Sequence, residues 1–319
     1  MSATASEPAP AQVSVRSPHG FQLSYTPQLG GKVTSLRYGD TGRQWLAEPV
    51  RPLGFPDRAD QPWDELDCSG WDECFPNIGR SDRLGLLDHG DVWRHRWTDV
   101  SAQKSSESPQ LSGWVSPPGR GYRFSRDIHS MGSRLKLDYL LENVGDQELH
   151  WAWSQHALLT ADERTRLVVP TATPMRVDGA FRHGRPDRDV RWLLDGDILA
   201  PSTSLERAGG RAVKLWFSQP LPTAVAVVHG SEWLAWLVGL STFTALGLWV
   251  NLGGWGRSPL SQIAVEPAFG ADDDPAVVFA TSPPLPPGQT RRWEVMIRAG
   301  RGLQELDAVL HGDGIPGRL

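Results

Sequence analysis

Short alternating segments, each closed off by glycine or proline, run along nearly the whole chain and exclude most architectures. FQLSYT (21–26) and KVTSLRYG (32–39) flank a proline and a Gly-Gly pair, a hairpin signal. RLKLDYLLEN (134–143) sets Leu135, Leu137, Tyr139 and Leu141 on one side. AVKLWFS (212–218), TAVAVVHG (223–230), EWLAWLVG (232–239), ALGLWVNLG (245–253), QIAVEPA (262–268) and RRWEVMIRA (291–299) continue the pattern. Their β-branched and aromatic content suits strands. With 33 Gly and 26 Pro among 319 residues, turns are frequent and elements must be short. Helical spacing is confined to LQELDAVL (303–310), through Leu303, Leu306, Val309 and Leu310. No βαβ alternation argues for an α/β sheet, and no fixed repeat for a propeller. Many short strands over this length predict an all-β fold, a large sandwich with few short helices. The expected organisation is a tail over 1–12 and a single domain over 13–319, with loops at 51–70, 101–121 and 271–288.

Composition removes several functions. The formal charge is -5 and no Lys/Arg-rich block occurs, so neither nucleic acid nor an acidic membrane is an expected partner. Cys68 and Cys74 are too few for a disulfide framework or a four-ligand zinc site. They read as free thiols in a reducing compartment. The opening MSATASEPAPAQ lacks the basic flank and apolar stretch of a secretory signal, so the expected location is cytoplasmic. The most apolar stretch, 233–252, carries Gly, Ser, Thr and Asn with strand-like alternation, and reads as buried strands rather than a membrane span. Fifteen Trp can fill a core; they can also offer flat apolar platforms with an N–H donor, which suit the C–H faces of a pyranose.

Four segments could carry chemistry. SGWDECFPNIG (69–79) clusters Trp71, Asp72 and Glu73 in a Gly/Pro-bounded stretch, either a recognition loop or a turn with solvated acids. LLDHGDVWRHRW (86–97) holds His89 and His95; His89 taken alone reads as a surface histidine, and no third ligand at a familiar spacing supports a metal. LHWAWSQHALLTADE (149–163) sets His156 between apolar runs, where a lone imidazole is more often a hydrogen-bonded core group than a working one. SQIAVEPAFGADDDP (261–275) closes an apolar run with Glu266. A carboxylate there costs desolvation energy unless paired, and burial suits it to general-base work. Asp272–Asp274 reads as a solvated turn without the spacing of a calcium loop. No GxSxG, Walker or dinucleotide fingerprint occurs.

These segments, in this order, resemble the galactose mutarotase-like superfamily, which includes the aldose 1-epimerases. PQLGGKVTSLRYGDTGRQWL is similar to its early strand pair, ECFPNIG followed by LDHG to its arginine-and-histidine region, and QHALLTAD to the setting of its acid histidine. GLWVNLGGW followed by IAVEPAFGADD resembles the ending of many bacterial members. The likeness covers residues 20–298. It implies a β-supersandwich with a concave sugar-binding face. His156 would be the acid and Glu266 the base, with His89 contacting the sugar, and Asp72, Trp71 and Arg80 lining the pocket. Two departures stand out: Pro76-Asn77-Ile78-Gly79-Arg80 replaces an Asn-Arg-Ile run, and Gln155 replaces an Asn before the acid histidine. Asp178, Asp195 and Asp197 are alternatives for a sugar-binding aspartate.

The resemblance implies mutarotation of a monosaccharide without metal or cofactor, by a monomer or homodimer. Glu266 as carboxylate would take the C1 hydroxyl proton while His156 as imidazolium protonates the ring oxygen. A hexose-6-phosphate 1-epimerase and a non-catalytic sugar-binding protein are the alternatives.

Overall fold

A computed structural model describes residues 12–311 apart from 40–41, 57, 59–60, 104–109, 170–173, 179–210 and 257–259. The tail expected over 1–12 lies, except for Gln12, outside the described residues, as do Asp195 and Asp197. Two antiparallel sheets form the fold, their strands numbered here in chain order. The larger holds ten strands. Its path runs β1 (Val13–Arg16), β2 (Phe21–Thr26), β3 (Lys32–Tyr38), β4 (Trp71–Cys74), β9 (Trp153–Ala157), β17 (Ser261–Phe269), β16 (Ala245–Leu252), β13 (Arg211–Phe217) and β12 (Met175–Val177). The short β10 (Leu159–Thr160) also pairs with β17. The smaller sheet orders β11 (Thr165–Val168), β14 (Val225–His229), β15 (Glu232–Trp236), β18 (Thr290–Arg301), β8 (Arg134–Asn143), β7 (Tyr122–Met131), β6 (Gln110–Val115) and β5 (Thr98–Gln103). Two α-helices are described, α1 (Pro275–Thr281) and α2 (Leu303–Leu310). No described helix is long and apolar enough to cross a membrane.

The segments read as strands from their alternation are strands, and α2 is the helix of residues 303–310. Three readings are corrected. The expected loop at 101–121 contains β6, where Leu111 and Val115 face the core between Gln, Ser and Gly, a pattern too weakly apolar to stand out. The expected loop at 271–288 contains α1, signalled by Asp274 as N-cap, which accepts from the Ala276 N–H at 2.9 Å, and by Pro275 at the first helical position. WDEC is a central strand rather than a recognition loop. Its acids break the alternation of apolar residues, and each finds a cationic partner in the interior, Lys32 for Asp72 and Arg126 for Glu73.

The central strands of the larger sheet, β4, β9, β17 and β16, are buried on both faces. One face meets the smaller sheet through residues such as Trp71, Trp153, Val213, Leu215, Leu246, Leu248, Ile263 and Val265. A polar network pins the two sheets together inside this layer. Glu73 Oε1 accepts from Arg126 Nη1 at 2.7 Å and from the Tyr139 hydroxyl at 3.1 Å, and Oε2 accepts from Trp153 Nε1 at 2.8 Å. Arg126 also donates to the Gly31 carbonyl at 2.6 Å. Gln155 donates to the Tyr139 oxygen at 3.2 Å and accepts from Trp236 Nε1 at 2.9 Å. A buried ion pair is stable only when its remaining polar positions are filled, and here they are. Removing one partner strands the other charge. Arg126→Met is therefore expected to cost about 3–5 kcal/mol, read as a lower urea midpoint; an unchanged midpoint contradicts the role given to the pair.

Candidate functional site

The second face of the larger sheet carries the chemistry, and strand register sets it out. Because side chains alternate, the face opposite the core holds Asp72 and Cys74 on β4, Ser154 and His156 on β9, Glu266 on β17, Gly247 and Trp249 on β16, and Lys214 and Trp216 on β13. Asp72 pairs with His156 across β4 and β9, and Glu266 with Gly247 across β17 and β16. Strand β17 pairs with β9 at Ala268↔Ser154 and with β10 at Leu159↔Ile263. Both pairings continue to one register, which sets Glu266 opposite His156. Two residues separated by 109 intervening positions in sequence thus become neighbours in one row across the sheet.

A cavity of about 590 Å³ opens over this row. His156, Glu266, His89 and Arg80 line it, together with Lys214 and Asp273, which the sequence reading did not single out. The imidazoles of His89 and His156 lie 4.7 Å apart by ring centroids. Trp63 meets both edge-on, at 5.4 and 5.3 Å, and fixes their planes. Trp255 packs on Trp63 at 6.2 Å and on Trp249 at 5.5 Å, giving the cavity an aromatic wall. Arg80 is exposed at the rim and donates to Asp82 Oδ1 at 2.6 Å.

His89 is part-buried and has φ 57°, the left-handed region that is costly for a residue with a Cβ. Backbone bonds hold it there: its N–H donates to the Ile78 carbonyl at 2.8 Å, and its carbonyl accepts from Phe75 N at 3.3 Å. Gly90, next in sequence, passes so close to β4 that a Cβ would sit 2.2 Å from the Phe75 carbonyl oxygen. The His-Gly dipeptide is what lets this loop turn into the cavity, so the surface reading of His89 is corrected.

Two of the expected pocket residues lie elsewhere. Trp71 is fully buried on the opposite face, in the core between the sheets, because it is one position out of phase with Asp72. Asp72 is on the correct face but beneath the histidines and outside the cavity lining. Lys32 Nζ donates to its Oδ2 at 2.8 Å, to Asp67 Oδ1 at 2.9 Å and to the Ser69 carbonyl at 2.9 Å. Asp178 is buried and accepts from Trp216 Nε1 at 2.8 Å and from the Asp273 N–H at 3.1 Å.

Electrostatics concentrate on the same row. Burial, and then the charges of His89, Lys214 and Lys32, push the His156 imidazolium well below the usual histidine range. The resting imidazole is neutral, not the imidazolium expected from the sequence. Glu266 Oε2 accepts from Lys214 Nζ in a short contact and from the Ser154 hydroxyl at 3.2 Å. Lys214 also pairs with Asp273 Oδ1 at 3.5 Å. Burial raises the Asp273 carboxyl to about 7, with Asp178 and Glu266 adding to the rise and Lys214 opposing it. Asp273 is therefore no part of a solvated turn. The run of three acids hid it, because only its neighbour Asp274 is needed as the helix cap. Within the described residues, Nδ1 of His89 and of His156, Asp72 Oδ1 and Glu266 Oε1 are among the buried polar atoms without a hydrogen-bond partner, others of which lie elsewhere in the molecule. Those of His89, His156 and Glu266 belong to side chains that line the cavity, where a polar ligand can reach them. No group of His, Cys, Asp and Glu side chains among the described residues is arranged to hold a metal ion.

No protein-family model matches the chain, and no curated protein sequence matches it. Solved structures do. A protein from Synechocystis aligns over 94% of this chain and 100% of its own, with TM-score 0.66 and 16% identity. A galactose mutarotase-like protein from Lactobacillus casei covers 91% of this chain and 100% of its own, with TM-score 0.64 and 16% identity. A galactose mutarotase related enzyme from Lactobacillus acidophilus covers 91% and 97%, with TM-score 0.64 and 13% identity. The chain has the galactose mutarotase-like fold.

Two titrations check the electrostatics without reference to any activity. In side-chain NMR, the His156 ring resonances are expected to stay constant from pH 8 to pH 6.5, and the Asp273 carboxyl to titrate near 7. A His156 midpoint above 6.5 contradicts the burial and charge argument.

Proposed function

We propose that the chain is an aldose 1-epimerase, which interconverts the α and β anomers of a free sugar by opening and reclosing its hemiacetal ring. The observation that carries this reading is the register that sets an imidazole and a carboxylate opposite each other under one open cavity. The fold it shares with a galactose mutarotase related enzyme supports it, at the level of fold alone.

The chemistry needs little more than this. Glu266 takes the proton of the C1 hydroxyl as the bond from C1 to the ring oxygen breaks, and the fraction of His156 that carries an added proton delivers it to that oxygen and becomes the neutral imidazole. The aldehyde turns about C1–C2, and the two transfers run backwards on the other face. His89 hydrogen-bonds to the sugar beside His156, and Arg80 steadies a hydroxyl at the rim. The Trp63–Trp255 wall gives the C–H face of the ring an apolar surface.

Charge at the cavity favours a neutral aldose. Arg80, Arg83 and Lys214 are outnumbered by Asp82, Asp88, Glu266, Asp273 and Asp274. Arg80 is engaged by Asp82, and Lys214 by Glu266 and Asp273. The two arginines are the feature that favours the second reading, a hexose 6-phosphate. Kinetics with an aldose and its 6-phosphate separate the two: the neutral sugar is expected to have the higher kcat/KM.

Anomer exchange, followed by NMR on α-D-glucose and α-D-galactose, tests the pair. Glu266→Gln and His156→Asn are each expected to lower the catalysed rate by at least about 10²-fold; full rates in both variants would remove these residues from the mechanism. The sign of the pH dependence follows from His156. Its charged form is depressed in the folded protein, so the proton it must deliver is lost as pH rises. After subtraction of spontaneous mutarotation, the alkaline limb of kcat/KM is expected below pH 6.5; a plateau that extends to pH 8 is the contrary result.

A further inference from the structure

Lys214 reaches Glu266 from two strands away. It stands on β13, Glu266 on β17, and β16 runs between them. Neighbouring strands are about 4.8 Å apart, so the side chain has to cross a full strand. The residue of β16 beneath its path is Gly247, which pairs with Glu266 on one side and with Trp216 on the other. A Cβ on Gly247 would lie 3.4 Å from Lys214 Cε and 3.2 Å from Trp216 Cζ3. Any larger side chain would occupy the space the lysine uses. The ammonium rests 4.9 Å from the centre of the Trp216 ring, which favours a cation at that point. Lys214 is almost fully buried, and a buried cation needs partners; Glu266 and Asp273 provide them.

We propose that Lys214, crossing β16 through the gap left by Gly247, is a positioning residue that fixes Glu266 Oε2 and leaves Oε1 as the oxygen that accepts the sugar proton. The inference rests on the proposed epimerase reading for its chemistry, but the clamp itself does not. Oε2 has two donors, Lys214 and the Ser154 hydroxyl, while Oε1 has none among the described residues. The C1 hydroxyl proton passes to Oε1, and the Lys214 proton stays on nitrogen throughout, its ammonium held above the usual lysine range although burial opposes it. The groups around Glu266 otherwise oppose its charge or leave it alone. Asp273 lies across the ammonium from it, Asp178 behind Asp273, and Cys74 on β4; His156 on β9 is neutral at rest.

The test reads the position of Glu266 and its chemistry separately. Crystal structures of Lys214→Met and Lys214→Arg in the full chain are expected to show the Glu266 carboxylate turned from its place in the first and held there in the second. In the anomer-exchange assay Lys214→Met is expected to lower kcat by at least about 10-fold while KM changes little, and Lys214→Arg to restore most of the loss. In the parent protein with a bound aldose, which covers the case in which Lys214→Met does not fold, the C1 hydroxyl is expected on Oε1; a C1 hydroxyl on Oε2, or a Glu266 carboxylate unmoved in a folded Lys214→Met, overturns the clamp. A displaced carboxylate in Lys214→Met of a protein that exchanges no aldose retains the clamp and overturns the sugar reading instead.

Discussion

The central strands of the larger sheet, β4, β9, β17 and β16, are out of water on both faces, and the rest of the structure depends on how the chain meets that condition. A strand offers alternate side chains to opposite faces, so one phase must be apolar to pack on the smaller sheet. The other phase is then free to be polar only if every charge finds a partner. In β17 the core phase is Ile263, Val265 and Phe269, and the other phase holds Gln262, Ala264, Glu266 and Ala268. In β13 the core phase is Val213, Leu215 and Phe217, and the other presents Lys214 and Trp216. The same register that packs the sandwich therefore lines up Asp72, His156, Glu266 and Gly247 on its far side. Slipping one strand by a residue would exchange catalytic candidates for core residues, so stability and site geometry are enforced together.

Three groups of buried charge among the described residues frame the site. Glu73 and Arg126 sit between the sheets with both Glu73 oxygens and both terminal Arg126 nitrogens engaged. Lys32, Asp67 and Asp72 lie under the histidines. Lys214, Glu266 and Asp273 border the cavity. The first is complete, and reads as architecture. The other two flank His156 with cations, and this, with burial, is why its imidazole is neutral at rest. Around the cavity the hydrogen-bond shortfall falls on His89, His156 and Glu266, in the same place as the aromatic wall.

The sequence made the sandwich legible wherever one phase was strongly apolar, as in β8, β16 and β18. It hid β4, since Trp-Asp-Glu-Cys has polar residues on both phases, each stabilised by groups far away in the chain. His156 and Glu266 were legible from the apolar runs they interrupt, and His89 from the motif resemblance more than from its surroundings. The resemblance implies both Trp71 and Asp72 in the pocket, but a period of two puts neighbours on one strand on opposite faces, and Trp71 lies in the core. Lys214 and Asp273 were missed for different reasons. A lysine in an alternating strand looks like its solvent face, and an aspartate among three looks like a turn; only the fold reveals that Lys214 meets both Glu266 and Asp273. Gly247 carried a signal that pattern reading discards, the absence of a side chain where a neighbour needs room.

The central claim is that one sugar ring sits between Glu266 and His156. A crystal structure of Glu266→Gln soaked with a free aldose addresses it most directly. The account predicts the C1 hydroxyl within hydrogen-bond reach of residue 266, the ring oxygen toward His156, and one face of the ring against Trp63 and Trp255. A sugar bound with its anomeric end turned away from this row, or bound on another surface while the cavity stays free of it, would contradict the account.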